Sequence, residues 1–219
     1  MSKKIKIDFV SDVACPWCAV GLGALEMALK NLEGEVDAEL HFQPFELNPN
    51  MPLGGQDTLE HLTKKYGSTP EQIEESQKQI RERAANVGFQ FANTLRKRVY
   101  NTFNCHRLLH WAHEELGAHA QHALKTELLV AYFRLGDSLD DAEALLKAVD
   151  RAHLDRQRAL EILNSDIYTE EVRHAEESYR QLGISAVPSI IFNDRHLLQG
   201  GQPVELFEQA IRQIAQEQS

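Results

Sequence analysis

Cys15-Pro16-Trp17-Cys18 stands where an alternating run, Ile5 to Val10, gives way to a helical run, Val20 to Leu32. Two thiols separated by two residues can close a small disulfide ring or lie side by side as a dithiol, and both states carry chemistry. Upstream, Ile5, Ile7 and Phe9 alternate with Lys4, Lys6 and Asp8, the period of a strand. Downstream, Leu22, Leu25, Leu29 and Leu32 recur at helical spacing. Pro16 suits the first helical turn, where a missing N–H costs nothing, and Gly34 lies just past the end, as a helix stop should. Val36, Ala38, Leu40 and Phe42 then alternate again. Strand, helix and strand at this spacing predict a βαβ unit.

The pattern changes at the Pro/Gly loop 48–55, which contains Pro49 and Pro52. Beyond it the chain reads as rich in helix. Thr69-Pro70-Glu71-Gln72 is a helix start, with Thr69 as cap, Pro70 at the first position and Gln72 closing a capping box; that helix runs to about Asn86. Phe89 and Phe91 alternate briefly across 88–92. Helices are expected over 101–116, 119–135, 141–152, 155–163 and 168–182, punctuated by Gly117, Gly136 and Gly183. Strand character then returns at Ser189-Ile190-Ile191-Phe192, with a turn at Asn193-Asp194 and a second hairpin strand over 195–199. Gly200-Gly201 ends it, and Pro203 opens a terminal helix to about Gln216. Each β portion is too small to stand alone. The expected arrangement is one discontinuous sheet domain, 1–49 and 166–219, interrupted by an all-helical insertion, 50–165.

A length of 219 residues suits roughly one or two domains with a real core. The 23 basic against 33 acidic residues give a net charge of −10, which argues against nucleic acid or an anionic membrane as the main partner. No apolar run approaches the roughly 18 residues that span a bilayer. Met1-Ser2-Lys3-Lys4 leads into a strand pattern rather than an apolar leader, so a cytoplasmic location is expected. Three cysteines are no disulfide scaffold; in a reducing compartment a paired CxxC is catalytic or metal-binding before it is structural.

Several stretches, in order, resemble one family. They are Ser11-Asp12-Val13-Ala14-Cys15-Pro16-Trp17-Cys18, Pro44-Phe45-Glu46-Leu47-Asn48-Pro49, Asn101-Thr102-Phe103-Asn104 with His106-Arg107, Ala186-Val187-Pro188-Ser189 and Gly201-Gln202-Pro203. Together they resemble the FrnE-like branch of the DsbA-family dithiol–disulfide oxidoreductases, over nearly the whole chain; Cys105 departs from that pattern. The resemblance implies an α/β thioredoxin fold with a helical insertion. It also implies a cis Val187–Pro188 bond facing the CxxC, whose backbone would pair with an extended substrate, and it brings His106 to the cleft.

The chemistry follows from the thiols. An ordinary cysteine, pKa near ~8.5, is mostly protonated at neutral pH. At a helix start the partial positive charge and open N–H groups favour a thiolate at Cys15, the expected attacking sulfur. Cys18, one turn in, is the expected resolving sulfur. Pro16 and Trp17 shape the turn; Asp12 caps it or relays protons to Cys18. The expected partners are disulfide-containing proteins or small-molecule thiols, with glutathione as an optional co-substrate and no metal. Oligomeric state has no signal in the sequence.

Other classes compete. A glutathione-dependent isomerase or transferase, resembling the hydroxychromene-carboxylate isomerases and kappa-class transferases, would not need Cys18. A zinc module or a holdase chaperone would use the CxxC only as ligands or not at all; Cys105 and His106 are the only complement to a zinc site. Cys105 shares a stripe with Leu108, Leu109, Ala112 and Leu116 and reads as a core thiol. His106, His110 and His113 read as a polar flank. Lys64-Lys65 and Arg96-Lys97-Arg98 read as surface charge, and Phe103, Trp111, Tyr132 and Phe133 as insertion core.

Overall fold

The computed structural model describes residues 2–93 and 96–217. β1 (Lys3–Ser11) runs through the turn at Cys15 into α1 (Pro16–Asn31) and returns as β2 (Val36–Pro44), parallel to β1 with Phe9 opposite Phe42. The chain then leaves the sheet for β3 (Gln56–Asp57), α2 (Thr58–Tyr66), α3 (Pro70–Asn86), β4 (Arg98–Val99), α4 (Phe103–Leu116) and α5 (Ala118–Val130). A wide π-helical turn, Ala131–Leu135, extends α5 and ends at Gly136 (φ 77°). α6 (Ala142–Arg151), α7 (Arg156–Leu163) and α8 (Thr169–Gln181) lead back to β5 (Ser189–Phe192), β6 (His196–Gln199) and α9 (Val204–Glu217). The sheet order is β2-β1-β5-β6, with β5 antiparallel to β1 and β6. α1 packs on α9. This is the expected α/β thioredoxin topology with helices inserted between β2 and β5.

Alternation places the two faces of β1 in different apolar clusters. Ile5, Ile7 and Phe9 join the main core with Leu25, Phe207 and Ile211, while Val10 packs with Phe45 and Ile184. Local signals explain the boundaries. Thr69 and Gln72 form the full capping box on α3. Asn193 and Asp194 both take positive φ, 51° and 57°, as a tight hairpin requires.

The structure departs from the sequence reading in several places. α2 and the β3–β4 ribbon were not anticipated individually; two-residue strands are too short to show alternation. Phe89 and Phe91 form no strand. Instead Phe91 packs on Phe133 at 4.7 Å between ring centroids, and the Ala92 N–H donates to the Phe133 carbonyl. Leu116, expected in the core beside Cys105, is 48% exposed. The histidine stripe is no solvated flank: His106 is buried, and the His113 ring packs at a tilt against His41, 4.8 Å between centroids. Cys105, Trp111, Tyr132 and Phe133 are buried as expected, whereas Phe103 is only partly covered.

Two polar side chains from α5 sit inside this core. The Gln121 amide accepts from Phe42 N–H at 2.8 Å and donates to Phe42 C=O at 2.9 Å, pairing with edge strand β2 as a neighbouring strand would. Lys125 is wholly buried, its Nζ donating to Ser11 Oγ at 2.9 Å. Among the described residues, no helix is long and apolar enough to cross a membrane.

Candidate active site

Cys15 is the N-cap of α1, in extended conformation and with no side-chain cap on the first turn. Pro16 follows at the start of the helix, so the open N–H groups of that turn lie around the Cys15 sulfur. Cys15 is 4% exposed and Cys18 0%; both are unlinked thiols. The Val187–Pro188 bond is cis, and the Val187 carbonyl lies 3.6 Å from Cys15 Sγ. The expected juxtaposition of proline turn and dithiol is therefore present.

The environment separates the two sulfurs. The Cys18 side chain donates to Cys15 and lowers its pKa; burial opposes this, backbone N–H groups of Cys18 and Trp17 assist, and the Asp12 charge opposes. For Cys18, burial comes first and pushes the thiol well up; its bond and charge interaction with Cys15 raise it further, and Lys125 pulls it down. Cys105 is raised by burial as well, and its thiol donates to the Leu139 carbonyl at 3.5 Å.

Asp12 organises the approach to the helix. Its Oδ1 accepts from Ala14 N–H at 3.1 Å and its Oδ2 from Leu47 N–H at 2.7 Å. Burial pushes this carboxyl up, but His106 and the two backbone N–H groups outweigh burial and hold it below the ordinary carboxylate value. His106 does not line the cleft as expected. It is 2% exposed, with Nε2 at 3.6 Å from Asp12 Oδ1 and no closer partner. It lines a separate small recess with Phe42, Gln43 and Pro44 instead.

Glycines allow the close packing. A Cβ on Gly21 would meet Pro188 Cγ at 3.0 Å; one on Gly201 would meet the Trp17 carbonyl at 3.2 Å and its ring at 3.3 Å. The Gly201-Gln202-Pro203 motif thus supplies a surface on which Trp17 rests. The Arg83 guanidinium lies over the Trp17 ring, 5.3 Å from its centroid. In front of Cys15 opens a cleft of about 790 Å³, lined by Trp17, Leu47, Val187, Lys65, Ile73 and Arg96 among others. Lys65 is no free surface charge: Nζ donates to Leu47 C=O at 3.1 Å and Asn48 Oδ1 at 2.7 Å. Arg96 donates to Tyr132 Oη at 2.7 Å, and Arg98 to the carbonyls of Gly54 and Gly55.

Residues 6–212 match the model of the DSBA-like thioredoxin domain. The chain belongs to the DsbA-like thioredoxin family. Within it, a solved probable DsbA oxidoreductase from Streptomyces coelicolor is 32% identical, covering 98% of this chain and 91% of that one, with a TM-score of 0.88. The Bacillus subtilis protein YwbO, uncharacterized, is 28% identical over 94% of this chain and 96% of its own length. A 2-hydroxychromene-2-carboxylate isomerase (14% identical, TM-score 0.68, covering 97% of each chain) shares the DsbA-like fold. So does the cytosolic disulfide reductase DsbM of Pseudomonas aeruginosa, solved with glutathione (16%, TM-score 0.63, covering 95% of this chain and 98% of that one).

Sequence reasoning missed Lys125, Gly21, His61 and the wall formed by Lys65 and Arg96. Lys125 is separated from the CxxC by over a hundred residues, and nothing local marks it. Gly21 breaks the otherwise apolar pattern of a helix, which was its one visible signal.

Proposed function

We propose that the chain is a thiol–disulfide oxidoreductase in which Cys15 attacks and Cys18 resolves, working in the cytoplasm on protein or small-molecule disulfides. The Cys15 thiolate attacks one sulfur of the substrate disulfide; the Cys15–substrate bond forms and the other half leaves as a thiolate. Cys18 then attacks the Cys15 sulfur, its proton passing to the departing second thiolate. The protein ends as a Cys15–Cys18 disulfide and the substrate as two thiols; the reverse sequence oxidises. Val187, beside the sulfurs, offers its backbone to an extended substrate. Pro16 and Trp17 set the shape of the turn, and Asp12 holds it through Ala14 and Leu47.

One observation carries this reading: two thiols on one helical turn have opposite environments, one favouring the thiolate and one suppressing it. A glutathione-dependent isomerase would leave Cys18 without a task. For the zinc alternative, no group of three or more His, Cys, Asp or Glu side chains among the described residues is placed to hold a metal.

Turnover of a disulfide substrate by wild type, Cys15→Ala and Cys18→Ala tests the assignment. Cys15→Ala falls to background, and Cys18→Ala accumulates a mixed disulfide visible by mass spectrometry. Full activity in Cys15→Ala overturns it.

A further inference from the structure

One buried base has no task in the chemistry described above. Lys125 reaches from α5 into the core with its side chain wholly closed to solvent. Among the described residues its Nζ has one hydrogen-bond partner, Ser11 Oγ at 2.9 Å, and that hydroxyl donates in turn to the Phe9 carbonyl at 3.4 Å. The Phe42 ring centroid lies 5.7 Å from Nζ and offers no lone pair in its plane. An ammonium carries three donors, and two would stay unmet in this place; a neutral amine, with a free lone pair, suits it better.

The amine is held close to the resolving thiol. Ser11 ends β1, and the next residue, Asp12, offers its backbone N–H to the Cys18 sulfur. The titratable groups around Lys125 are Cys18 and Cys15 at the start of α1, Asp12 ahead of them and Cys105 on α4; burial lowers the Lys125 pKa and these four oppose it. Cys18 itself is pushed well up by burial, yet its sulfur must shed a proton to attack. The neighbours other than Lys125 are poor acceptors for that proton. Asp12 has its two oxygens on the N–H groups of Ala14 and Leu47 and is held below the ordinary carboxylate value. Cys105 is a suppressed thiol that donates to the Leu139 carbonyl. Cys15 is bonded to the substrate at that step.

We infer that Lys125 is the internal base of the resolving step, taking the Cys18 proton as the Cys18 sulfur attacks Cys15. The inference rests on the oxidoreductase reading above. The Cys15–Cys18 bond forms, the Cys15–substrate bond breaks with its electron pair leaving on the substrate thiolate, and the proton moves from sulfur to Nζ. The ammonium then releases a proton to solvent and the departed thiolate takes one up. The sum is one protein disulfide and two substrate thiols, with no other reductant. The helical insertion thereby takes part in the chemistry of a dithiol carried on α1.

Stopped-flow oxidation of the reduced protein by dithiobis(nitrobenzoate) separates the two steps, since attack by Cys15 and resolution by Cys18 each release one coloured thiolate. In wild type the second phase should be nearly level with pH across the neutral range, because Cys18 and Lys125 hold one proton between them and need exchange none with solvent. Lys125→Met keeps the length without the base. It should slow the second phase at neutral pH by roughly tenfold or more, change the first by no more than a few-fold, and make the second climb about tenfold per pH unit. Lys125→Arg keeps the charge but takes up no proton, and should not restore the level profile. An unslowed second phase in Lys125→Met, or full restoration in Lys125→Arg, overturns the inference while the two phases of wild type keep the oxidoreductase reading. Should Lys125→Met not fold, the wild-type profile decides: a second phase that climbs about tenfold per pH unit means that Cys18 gives its proton to solvent, and Lys125 is then no base. Absence of any second phase in wild type removes the oxidoreductase reading itself.

Discussion

The Cys15 sulfur receives a hydrogen bond from Cys18 and faces backbone N–H groups, against burial and the nearby Asp12 charge. Iodoacetamide alkylation of the reduced protein should therefore titrate below the ordinary thiol value, at Cys15 only. Asp12→Asn removes the opposing charge and should move that titration lower still. Titration at or above the ordinary value in wild type sinks the thiolate argument. The linkage has a definite sign. A depressed thiol pKa stabilises the reduced fold above the unfolded value, and the benefit fades as pH falls through the folded value. The melting advantage of reduced wild type over Cys15→Ser should thus shrink on acidification. Asp12→Asn should also cost about 1–3 kcal/mol, since an amide nitrogen must then face a buried backbone N–H. At this scale the sequence was informative where chemistry is local. Cys15, Cys18 and Pro188 announce themselves by motif; Lys125, Glu46 and Glu176 do not, because a lone charged residue is read as solvated unless its buried partner is known.

Helices α3 to α9 were legible because apolar period, caps and glycine stops agreed. α2 was not, since its Asp57 cap and Gly67 stop enclose a mostly exposed nine-residue segment with one buried residue. The motif at 101–107 turned out to join elements rather than to touch the dithiol. The Asn104 side chain accepts from the Arg107 guanidinium, which also donates to the carbonyls of Ile162, Ser165 and Ile167 and so ties α4 to the end of α7. The placement of α1 depends on two glycines. Gly21→Ala gains up to about 1 kcal/mol in helix propensity but puts a methyl 3.0 Å from Pro188 Cγ. It should retain most of its stability while losing activity several-fold. Gly201→Val should lose both, by about 1–3 kcal/mol of stability, because the added atoms meet backbone at Trp17 and Gly21 as well as the Trp17 ring. Thermal melting beside disulfide turnover distinguishes the two; equal losses in both variants would contradict the packing account.

Across the whole molecule one apolar cluster runs from Phe9 and Leu25 through Cys18 to Leu108, Trp111, Leu128 and Tyr132. The division into a sheet domain and an insertion, readable from the return of strand pattern near residue 189, thus describes chain order rather than separate cores. That continuity was invisible because it depends on which helix faces meet, and single-sequence periodicity gives each face without its partner. Gln121 is the clearest case. Gln121→Ala should cost about 2–4 kcal/mol, the burden of two buried backbone groups left without partners, and chemical denaturation would show it; a change under half that size would mean water replaces the amide.

A strand at the margin of a sheet is a template for any other extended chain, including a second copy of the same protein. Here the Gln121 side chain, reaching from α5 to the β2 backbone at Phe42, does the job that a further strand would otherwise do. Molecules lacking that amide should therefore be more prone to clump while still folded, at temperatures well below melting, and light scattering during gentle warming would reveal it.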